Sequence, residues 1–213
     1  GQMDNPSLMN FEALKALKSR VLRISRKASA LLGVNMPVAT TCVKPSGTVS
    51  QLVDSASGCH PRYSEYYIRR YRIASSDPLF RMLKDQGVPY HPENGQEEKN
   101  ATTFVLEFPV KSPEGCITRK DLTAMDQLKH YKNLQINWCE HNASMTVYVR
   151  DDEWFEVGNW VYQNWHIING ISFLPYDGGQ YELAPYEEID HYTYESLIKK
   201  FPQINYSKLL KYE

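Results

Sequence analysis

The feature that most constrains the fold is an alternation of short apolar runs with longer amphipathic stretches in the second half of the chain. Residues 102–110, 144–149 and 171–174 are rich in β-branched and aromatic side chains, which predicts strands. Residues 118–135 and 151–165, which lie between these runs, have the pattern of helices. Strand–helix–strand passages usually join parallel strands, so the sequence predicts an α/β fold in which at least some strands are parallel.

The first half of the chain opens with a long amphipathic helix, predicted over residues 10–32. Apolar residues recur there at spacings of three and four, which places them in one stripe. The stripe consists of Leu14, Leu17, Val21, Ile24, Ala28 and Leu31. Gly33 is a natural helix stop, and the intervening basic residues predict a solvated face. Because such a stripe must be buried, we expect a partner layer against it.

Shorter elements are predicted in the middle of the chain. Residues 37–43 and 66–73 have the composition of strands. A helix is predicted over 79–86, because Asp77 and Pro78 form a typical helix start. Residues 89–100 are polar and rich in turn-forming types, which predicts an exposed loop.

Composition narrows the class of protein without naming a function. The chain has 213 residues, 42% hydrophobic and 23% charged, which is typical of one folded domain over residues 1–213 and unlike disorder. The net charge of −1 gives no basic field for nucleic acid, and no apolar run is long enough for a membrane. The four cysteines lie far apart, which predicts reduced thiols in a cytoplasmic protein and no metal site.

The most informative motif is a predicted strand–turn–helix at Pro45-Ser46-Gly47-Thr48-Val49-Ser50, with its helix expected to end near Gly58. Backbone amides are unpaired where a helix begins, so an anion can bind there. Gly47 permits close approach of a ligand, and Pro45 restricts the entry of the chain. The same residues are also typical of a Ser/Thr-rich helix cap without a ligand. The motif alone leaves both interpretations open.

Six segments carry a family resemblance: CVKPSGTVS at 42–50, SGCHPRYS at 57–64, YYIRR at 66–70, WCEHNASMT at 138–146, GISFLP at 170–175 and YELAPYE at 181–187. They resemble segments of the adenosylcobalamin-dependent (class II, monomeric type) ribonucleotide reductases and occur in that family's order. The resemblance implies a ten-stranded α/β barrel of which this chain supplies most of the second half. It also implies that the family's N-terminal half and C-terminal cysteine tail lie outside this chain.

The resemblance implies a chemistry and its partners. A cysteine thiyl radical, generated through adenosylcobalamin, would convert ribonucleoside triphosphates to 2′-deoxyribonucleotides, with a thioredoxin-like protein as reductant. The loop from Pro45 to Ser50 would bind the substrate phosphates, and this chain would be inactive without the complementary N-terminal half. His60 and Arg62 are candidates for the border of the active site, although a single histidine is more often a hydrogen-bonded structural residue.

The chain departs from the family pattern at its cysteines. The family's radical motif, Asn-x-Cys-x-Glu, lies upstream of the phosphate loop, whereas the nearest match here surrounds Cys139 and has its glutamate one position early. We therefore interpret Cys139 as a buried strand residue and expect no catalytic residue within this chain. Two alternatives remain: a fragment of a class I or glycyl-radical reductase, and a non-catalytic α/β module that binds nucleotide or phosphate.

Overall fold

The structure of the protein is a computed structural model that describes residues 1–5, 7, 10–47, 49–177 and 182–213, with the backbone alone at 51 and 52. The helices are α1 (Phe11–Leu32), α2 (Val49–Leu52), α3 (Pro78–Asp85), α4 (Ala124–Asn137), α5 (Trp154–Gln163) and α6 (His191–Lys200). The strands are β1 (Tyr66–Ala74), β2 (Tyr90–Pro92), β3 (Thr103–Lys111), β4 (Thr146–Val149), β5 (Ser172–Pro175) and β6 (Tyr186–Glu188). Short 3-10 turns lie at Gln2–Asp4, Trp165–Ile167 and Tyr206–Lys211.

The chain forms two compact units. The first, here the parallel unit, contains Gly1–Arg62 and Pro113–Tyr176. The second, here the antiparallel unit, contains Tyr63–Ser112 and Asp177–Glu213. The single domain expected for residues 1–213 stays a prediction, because compactness does not decide whether each unit folds independently.

The parallel unit confirms the predicted α/β class. β4 and β5 pair in parallel from Thr146 opposite Ser172 to Val149 opposite Pro175, and α5 provides the crossover between them. A parallel bridge between Val43 and Ala143 adds the end of a third extended segment. α4 contacts α1, α5 and β4, and the core of the unit lies between these elements.

α4 is the central helix of the parallel unit. Thr123 and Asp126 form a capping box at its start, in which each side chain bonds the other residue's amide. The buried face of the helix presents Leu128, Tyr131 and Leu134 to the core. The helix was predicted from residue 118, but the capping box places its first residue at Ala124.

The stripe of α1 is buried only in part. Leu14 is buried, whereas Leu17 is 53% exposed and Leu31 is 88% exposed. The helix packs instead along a line through Leu14 and Ser29, its two buried residues. The predicted bounds are confirmed, since Asn10 accepts hydrogen bonds from two amides of the first turn and Gly33 ends the helix in the left-handed conformation. Within the described residues, the partner layer expected against the stripe covers Leu14 and leaves Leu17 and Leu31 exposed.

Other predicted elements differ in length or kind. Residues 37–43 form no strand, and their one ladder contact is the bridge at Val43. The helix expected from the phosphate motif to near Gly58 is only the four residues of α2. β6 and α6 were not predicted, because their sequences carry neither a strong alternation nor an apolar stripe.

The antiparallel unit is a four-stranded sheet in the order β2-β3-β1-β6. β1 and β3 pair along their full length, from Tyr66 opposite Lys111 to Ala74 opposite Thr103. Arg70 on β1 is buried and bonds Glu107 on β3 and Glu187 on β6. Arg70 and Arg72 of this strand therefore form ion pairs, whereas Arg69 donates to backbone carbonyls.

Among the described residues, no helix combines the length and apolarity needed to cross a bilayer.

Candidate functional site

The candidate phosphate loop begins where the third extended segment leaves the sheet. The Val43 amide donates to the Asn142 carbonyl at 3.2 Å, and the Val43 carbonyl accepts from the Ser144 amide at 3.0 Å. Pro45, Ser46 and Gly47 follow at the carboxyl end of this segment, and α2 begins at Val49. Ligands in α/β folds bind at the carboxyl ends of parallel strands, so the loop lies at the edge where a ligand is expected.

Two serines close the loop by capping it. The Ser50 amide donates to Ser46 Oγ at 2.8 Å, and Ser50 Oγ donates to the Ser46 carbonyl at 2.6 Å. The Ser46 amide donates to Ser57 Oγ at 2.7 Å. These contacts match the helix-cap interpretation for Ser46 and Ser50, because their polar groups are already used within the protein.

Gly47 is different. Its backbone is not in the left-handed region, and a Cβ placed on it would meet nothing within 4 Å. Within the described part of the chain, the amides of Gly47 and Val49 donate no hydrogen bond. Thr48, also predicted to bind substrate, lies outside the described residues. Neither packing nor dihedral strain within this chain explains a glycine at position 47, whereas close approach of a ligand does.

The base of the loop is held by a second glycine. Gly58 has a φ of +56°, and a Cβ there would lie 2.6 Å from the Lys44 carbonyl oxygen, immediately before the loop. Only glycine combines the left-handed backbone with this close approach. Gly58 thereby allows the segment after α2 to pack directly against the start of the loop.

Arg62 fastens the same region through ion pairs. Its guanidinium bonds both carboxylate oxygens of Asp4, at 2.8 and 2.9 Å, and both the carboxylate and the carbonyl of Asp54, at 3.1 and 2.7 Å. Burial by itself raises the pKa of Asp4, but bonds from Arg62 and the Ala56 amide outweigh it, so the net pKa is lowered. Arg62 is buried, and these contacts give it a structural role; its place at the active-site border stays a prediction.

His60 hydrogen-bonds the backbone of β4 at an edge where no described strand pairs with it. Its Nε2 accepts from the Thr146 amide of β4 at 2.9 Å, so Nδ1 carries the proton donated to the Ser57 carbonyl at 3.0 Å. Burial lowers the pKa of His60, and the bond to Ser57 offsets this only in part. The ring is thus neutral and both nitrogens are engaged. The structural alternative for His60 is favoured, and its contact with substrate stays a prediction.

Gln127 of α4 likewise hydrogen-bonds the backbone of β4, two residues further along the strand. Its side-chain oxygen accepts from the Tyr148 amide at 3.1 Å, and its nitrogen donates to the Tyr148 carbonyl at 3.2 Å. Because the segment at Val43 has already left the sheet, this edge of β4 would otherwise carry buried, unpaired backbone groups. Because His60 and Gln127 pair these backbone groups, the segment that ends at Val43 can leave the sheet and enter the loop.

Two of the four cysteines are buried and are poor nucleophiles. All four are free, and Cys59 and Cys139 are buried. Burial raises the pKa of Cys59 to about 12 and that of Cys139 to about 11, so both remain neutral thiols near pH 7. Cys139 is buried as predicted, but it follows the end of α4 and not a strand, because α4 extends to Asn137.

Two arginines at the carboxyl ends of β4 and β5 were not predicted. The guanidinium of Arg150, which directly follows β4, lies 4.7 Å from the ring centre of Tyr176, which directly follows β5. Arg119 lies 5.0 Å from the same ring. Arg150 directly follows a predicted strand, which was an available signal, whereas no local pattern marks Arg119.

Comparison with known proteins gives consistent matches. No protein-family model matches the chain. The adenosylcobalamin-dependent ribonucleoside-triphosphate reductase of Lactobacillus acidophilus is 35% identical over 189 residues, which are 87% of this chain and 25% of that protein. The probable adenosylcobalamin-dependent ribonucleoside-triphosphate reductase of Dictyostelium discoideum is 33% identical over 192 residues, which are 87% of this chain and 24% of that protein.

A solved structure matches as well. The crystal structure of a B-12 dependent (class II) ribonucleotide reductase aligns with a TM-score of 0.78 and 30% identity, covering 94% of this chain and 28% of that one. The predicted resemblance and fold class are therefore confirmed. Sequence and fold together show that the chain is similar to a segment of the adenosylcobalamin-dependent ribonucleoside-triphosphate reductases, and it spans about a quarter of the length of the curated relatives it matches.

Proposed function

We propose that this chain is the part of a ribonucleoside-triphosphate reductase that binds the substrate phosphates, through the loop from Pro45 to Ser50. One observation carries the proposal: Gly47 faces open space, needs no special backbone angle, and lies beside amides that no described residue occupies. The alternative of a simple helix cap accounts for Ser46 and Ser50 but not for Gly47. The cap orders the loop, and the ligand binds the amides of Gly47 and Val49, which the cap does not use.

In this proposal the chain contributes to the reaction by positioning the substrate. The amides of Gly47 and Val49 donate to phosphate oxygens, as unpaired amides at the start of a helix do. Gly58 and Arg62 hold the loop against the parallel unit. A phosphate chain fixed in this way places the ribose at a set distance from a reactive group, which is how binding energy contributes to rate.

The radical chemistry belongs to other parts of the enzyme. The relatives are adenosylcobalamin-dependent by name, and that cofactor supplies radical chemistry when bound. We assign no residue of this chain to the cofactor. We propose that the remainder of the reductase polypeptide and a thioredoxin-like reductant complete the reaction, and that it takes place in the cytoplasm, where free cysteines persist.

Nucleotide binding by the chain tests this proposal. Isothermal titration with a ribonucleoside triphosphate should detect binding to the wild-type chain and at least a tenfold loss in Gly47→Val, because the new side chain blocks approach to the amides. Since a Cβ at position 47 meets no atom within 4 Å, the unfolding temperature should be unchanged. Equal binding by both proteins would refute the loop as the phosphate site.

An assay of reduction separates the alternatives when the remainder of the enzyme is added. A non-catalytic module binds nucleotide with no dependence on a second polypeptide and supports no reduction in any mixture. A class I or glycyl-radical fragment supports reduction without adenosylcobalamin. For reduction, the present proposal requires both the second polypeptide and adenosylcobalamin.

A further inference from the structure

Two of the segments that carry the family resemblance lie outside the phosphate loop and contact each other. They are YYIRR at 66–70 and YELAPYE at 181–187, of which residues 182–187 are described. Both belong to the antiparallel unit, in which β1 and β6 pair from Tyr67 opposite Glu188 to Arg69 opposite Tyr186. Residues 182–185, which directly precede β6, form no strand and are here called the strap.

Side chains hold the strap through its backbone carbonyls. Each carbonyl accepts a hydrogen bond from a different side chain, and three of the donors are arginines of β1. The donors are Asn94 to Glu182 at 2.7 Å, Arg72 to Leu183 at 3.2 Å, Arg70 to Ala184 at 3.2 Å and Arg69 to Pro185 at 3.0 Å. The backbone amide of Arg70 also donates to the Pro185 carbonyl, at 2.9 Å. Because charged donors form strong hydrogen bonds, the arginines hold the strap much as the amides of a neighbouring strand would.

The strap is held in a strained conformation. Leu183 has a φ of +56°, and among the described residues other than glycine only Asp54 is also left-handed. A leucine is unfavourable in this conformation because its Cβ crowds the carbonyl that follows. Such a conformation persists only where surrounding contacts hold it. The strain at Leu183 therefore opposes the hydrogen bonds from the arginines and favours release of the strap.

β6 is held in a different way from the strap. The Tyr186 ring stacks on the ring of Tyr63, with 5.2 Å between their centres. Stacked rings are insensitive to dissolved salt, whereas the contacts of Arg72, whose side chain is 35% exposed, are screened by it. Within the strap itself, only the small side chain of Ala184 is buried. Apolar contacts thus stabilise β6, and polar contacts stabilise the strap.

We propose that the strap is a conformational latch, which opens from β1 while β6 and the pair of β1 and β3 stay closed. In the closed state the arginines hold the strap against the strain at Leu183. In the open state Leu183 relaxes, water replaces the arginines at the strap carbonyls, and the residues directly before β6 are free to move. Segments that open locally are those with exposed polar contacts and few buried apolar ones. The inference goes beyond the proposed function and does not depend on the phosphate loop.

Hydrogen exchange of single amides, followed by nuclear magnetic resonance in the whole chain, tests the latch. The reporter is the Arg70 amide, which donates to the strap. The reference is the Tyr71 amide, which faces β3 because successive amides of a strand point to opposite edges. After correction for sequence, the Arg70 amide should exchange at least about tenfold faster than the Tyr71 amide, and about 1 M sodium chloride should widen this ratio. Equal exchange of the two amides would overturn the proposal.

A matched pair of variants tests the strain. Leu183→Gly and Leu183→Ala both remove the leucine side chain, but only glycine adopts the left-handed conformation without strain. The Arg70 amide should therefore exchange at least roughly threefold more slowly in Leu183→Gly than in Leu183→Ala. Equal rates, or faster exchange in the glycine variant, would show that no strain opposes closure, and the latch would fail.

The contribution of the arginines is tested at Arg72. Arg72→Gln should speed exchange of the Arg70 amide at least about tenfold and leave that of Tyr71 unchanged, because the charged donor to the strap is lost. The matched control is Arg81→Gln on α3, which removes an arginine that donates to the Tyr212 carbonyl and should change neither amide.

Two results with Arg72→Gln contradict the latch. Unchanged exchange of the Arg70 amide would show that the arginine does not hold the strap. Faster exchange of both amides, in a variant that circular dichroism shows to be folded, would show that the sheet opens as one body. Gly47→Val should leave the exchange of both amides unchanged, so a failure of the phosphate site and a failure of the latch are separate results.

Discussion

At the scale of single residues, two glycines with left-handed backbone differ in the room they leave for a side chain. Gly33 and Gly58 both have left-handed backbone, with φ of +65° and +56°. A Cβ at Gly33 meets nothing within 4 Å, whereas one at Gly58 approaches the Lys44 carbonyl oxygen to 2.6 Å. Substitution of Gly33 therefore introduces backbone strain alone, whereas substitution of Gly58 adds a direct clash.

We expect Gly33→Ala to lower the free energy of unfolding by about 1 kcal/mol, the usual cost of the left-handed conformation. Gly58→Ala should lower it by roughly 3 kcal/mol or more, because a backbone oxygen cannot move aside as a flexible side chain does. Urea denaturation followed by circular dichroism measures both values. Similar losses for the two variants would contradict the contact with Lys44.

A buried histidine makes the stability depend on pH. His130 on α4 lies against the side-chain oxygen of Gln2 at 3.0 Å, which requires Nε2–H to donate. Burial lowers the pKa of His130 to about 4 from a usual value near 6.5. The unfolded chain therefore binds a proton before the folded chain does, so stability is full above about pH 6.5 and is lost as the pH falls towards 4.

The loss should be on the order of 2 kcal/mol between pH 7 and pH 4.5, and His130→Gln should reduce it. Urea denaturation of both proteins across this range measures the slope. His60 contributes in the same direction, since burial also lowers its pKa, so the variant keeps part of the dependence. An identical slope in the two proteins would show that His130 is not buried in its neutral form.

At the scale of elements, α1 shows how a correct helix can face an unexpected way. The sequence placed its bounds well, because caps are local signals at Asn10 and Gly33. The same sequence could not decide which part of a broad apolar arc would be covered. Leu14 enters the core of the parallel unit, while Leu17 stays half exposed.

Leu14→Ala should therefore cost about 2–3 kcal/mol of unfolding free energy, the usual range for a buried leucine. Leu17→Ala should change it by less than about 0.5 kcal/mol, as surface substitutions do. Both substitutions have the same effect on helix propensity, so the difference measures packing alone. Equal losses, determined by urea denaturation, would place the buried face of α1 along the predicted stripe.

At the scale of the whole molecule, apolar surface remains uncovered in the parallel unit. Strands β4 and β5 with the segment at Val43 form a short run of parallel pairing, which natural proteins seldom leave uncovered. Large apolar side chains of α1 and α5 remain exposed as well. These features agree with a segment that spans about a quarter of its relatives.

We expect no reduction of ribonucleoside triphosphates by the isolated chain. Addition of the remaining reductase polypeptide, adenosylcobalamin and a dithiol should restore formation of 2′-deoxyribonucleotides, measured by chromatography of the products. Gly47→Val should lower the restored rate at least tenfold at limiting substrate, because substrate binding is lost. Full activity of the chain alone would contradict its role as a segment.

The sequence by itself determined the α/β class, the bounds of α1 and α3, the burial of Cys139 and the family. These depend on caps, on periodicity and on motif order, all of which are read within a few residues. Only the tertiary structure decided that residues 37–43 form no strand. It also decided that Ser46 and Ser50 cap their own loop while Gly47 stays open. Finally, it decided that His60 accepts a hydrogen bond from the Thr146 amide and that Arg62 forms an ion pair with Asp4. Their partners lie far away along the chain, and no local pattern records which distant donor or acceptor folding brings into reach.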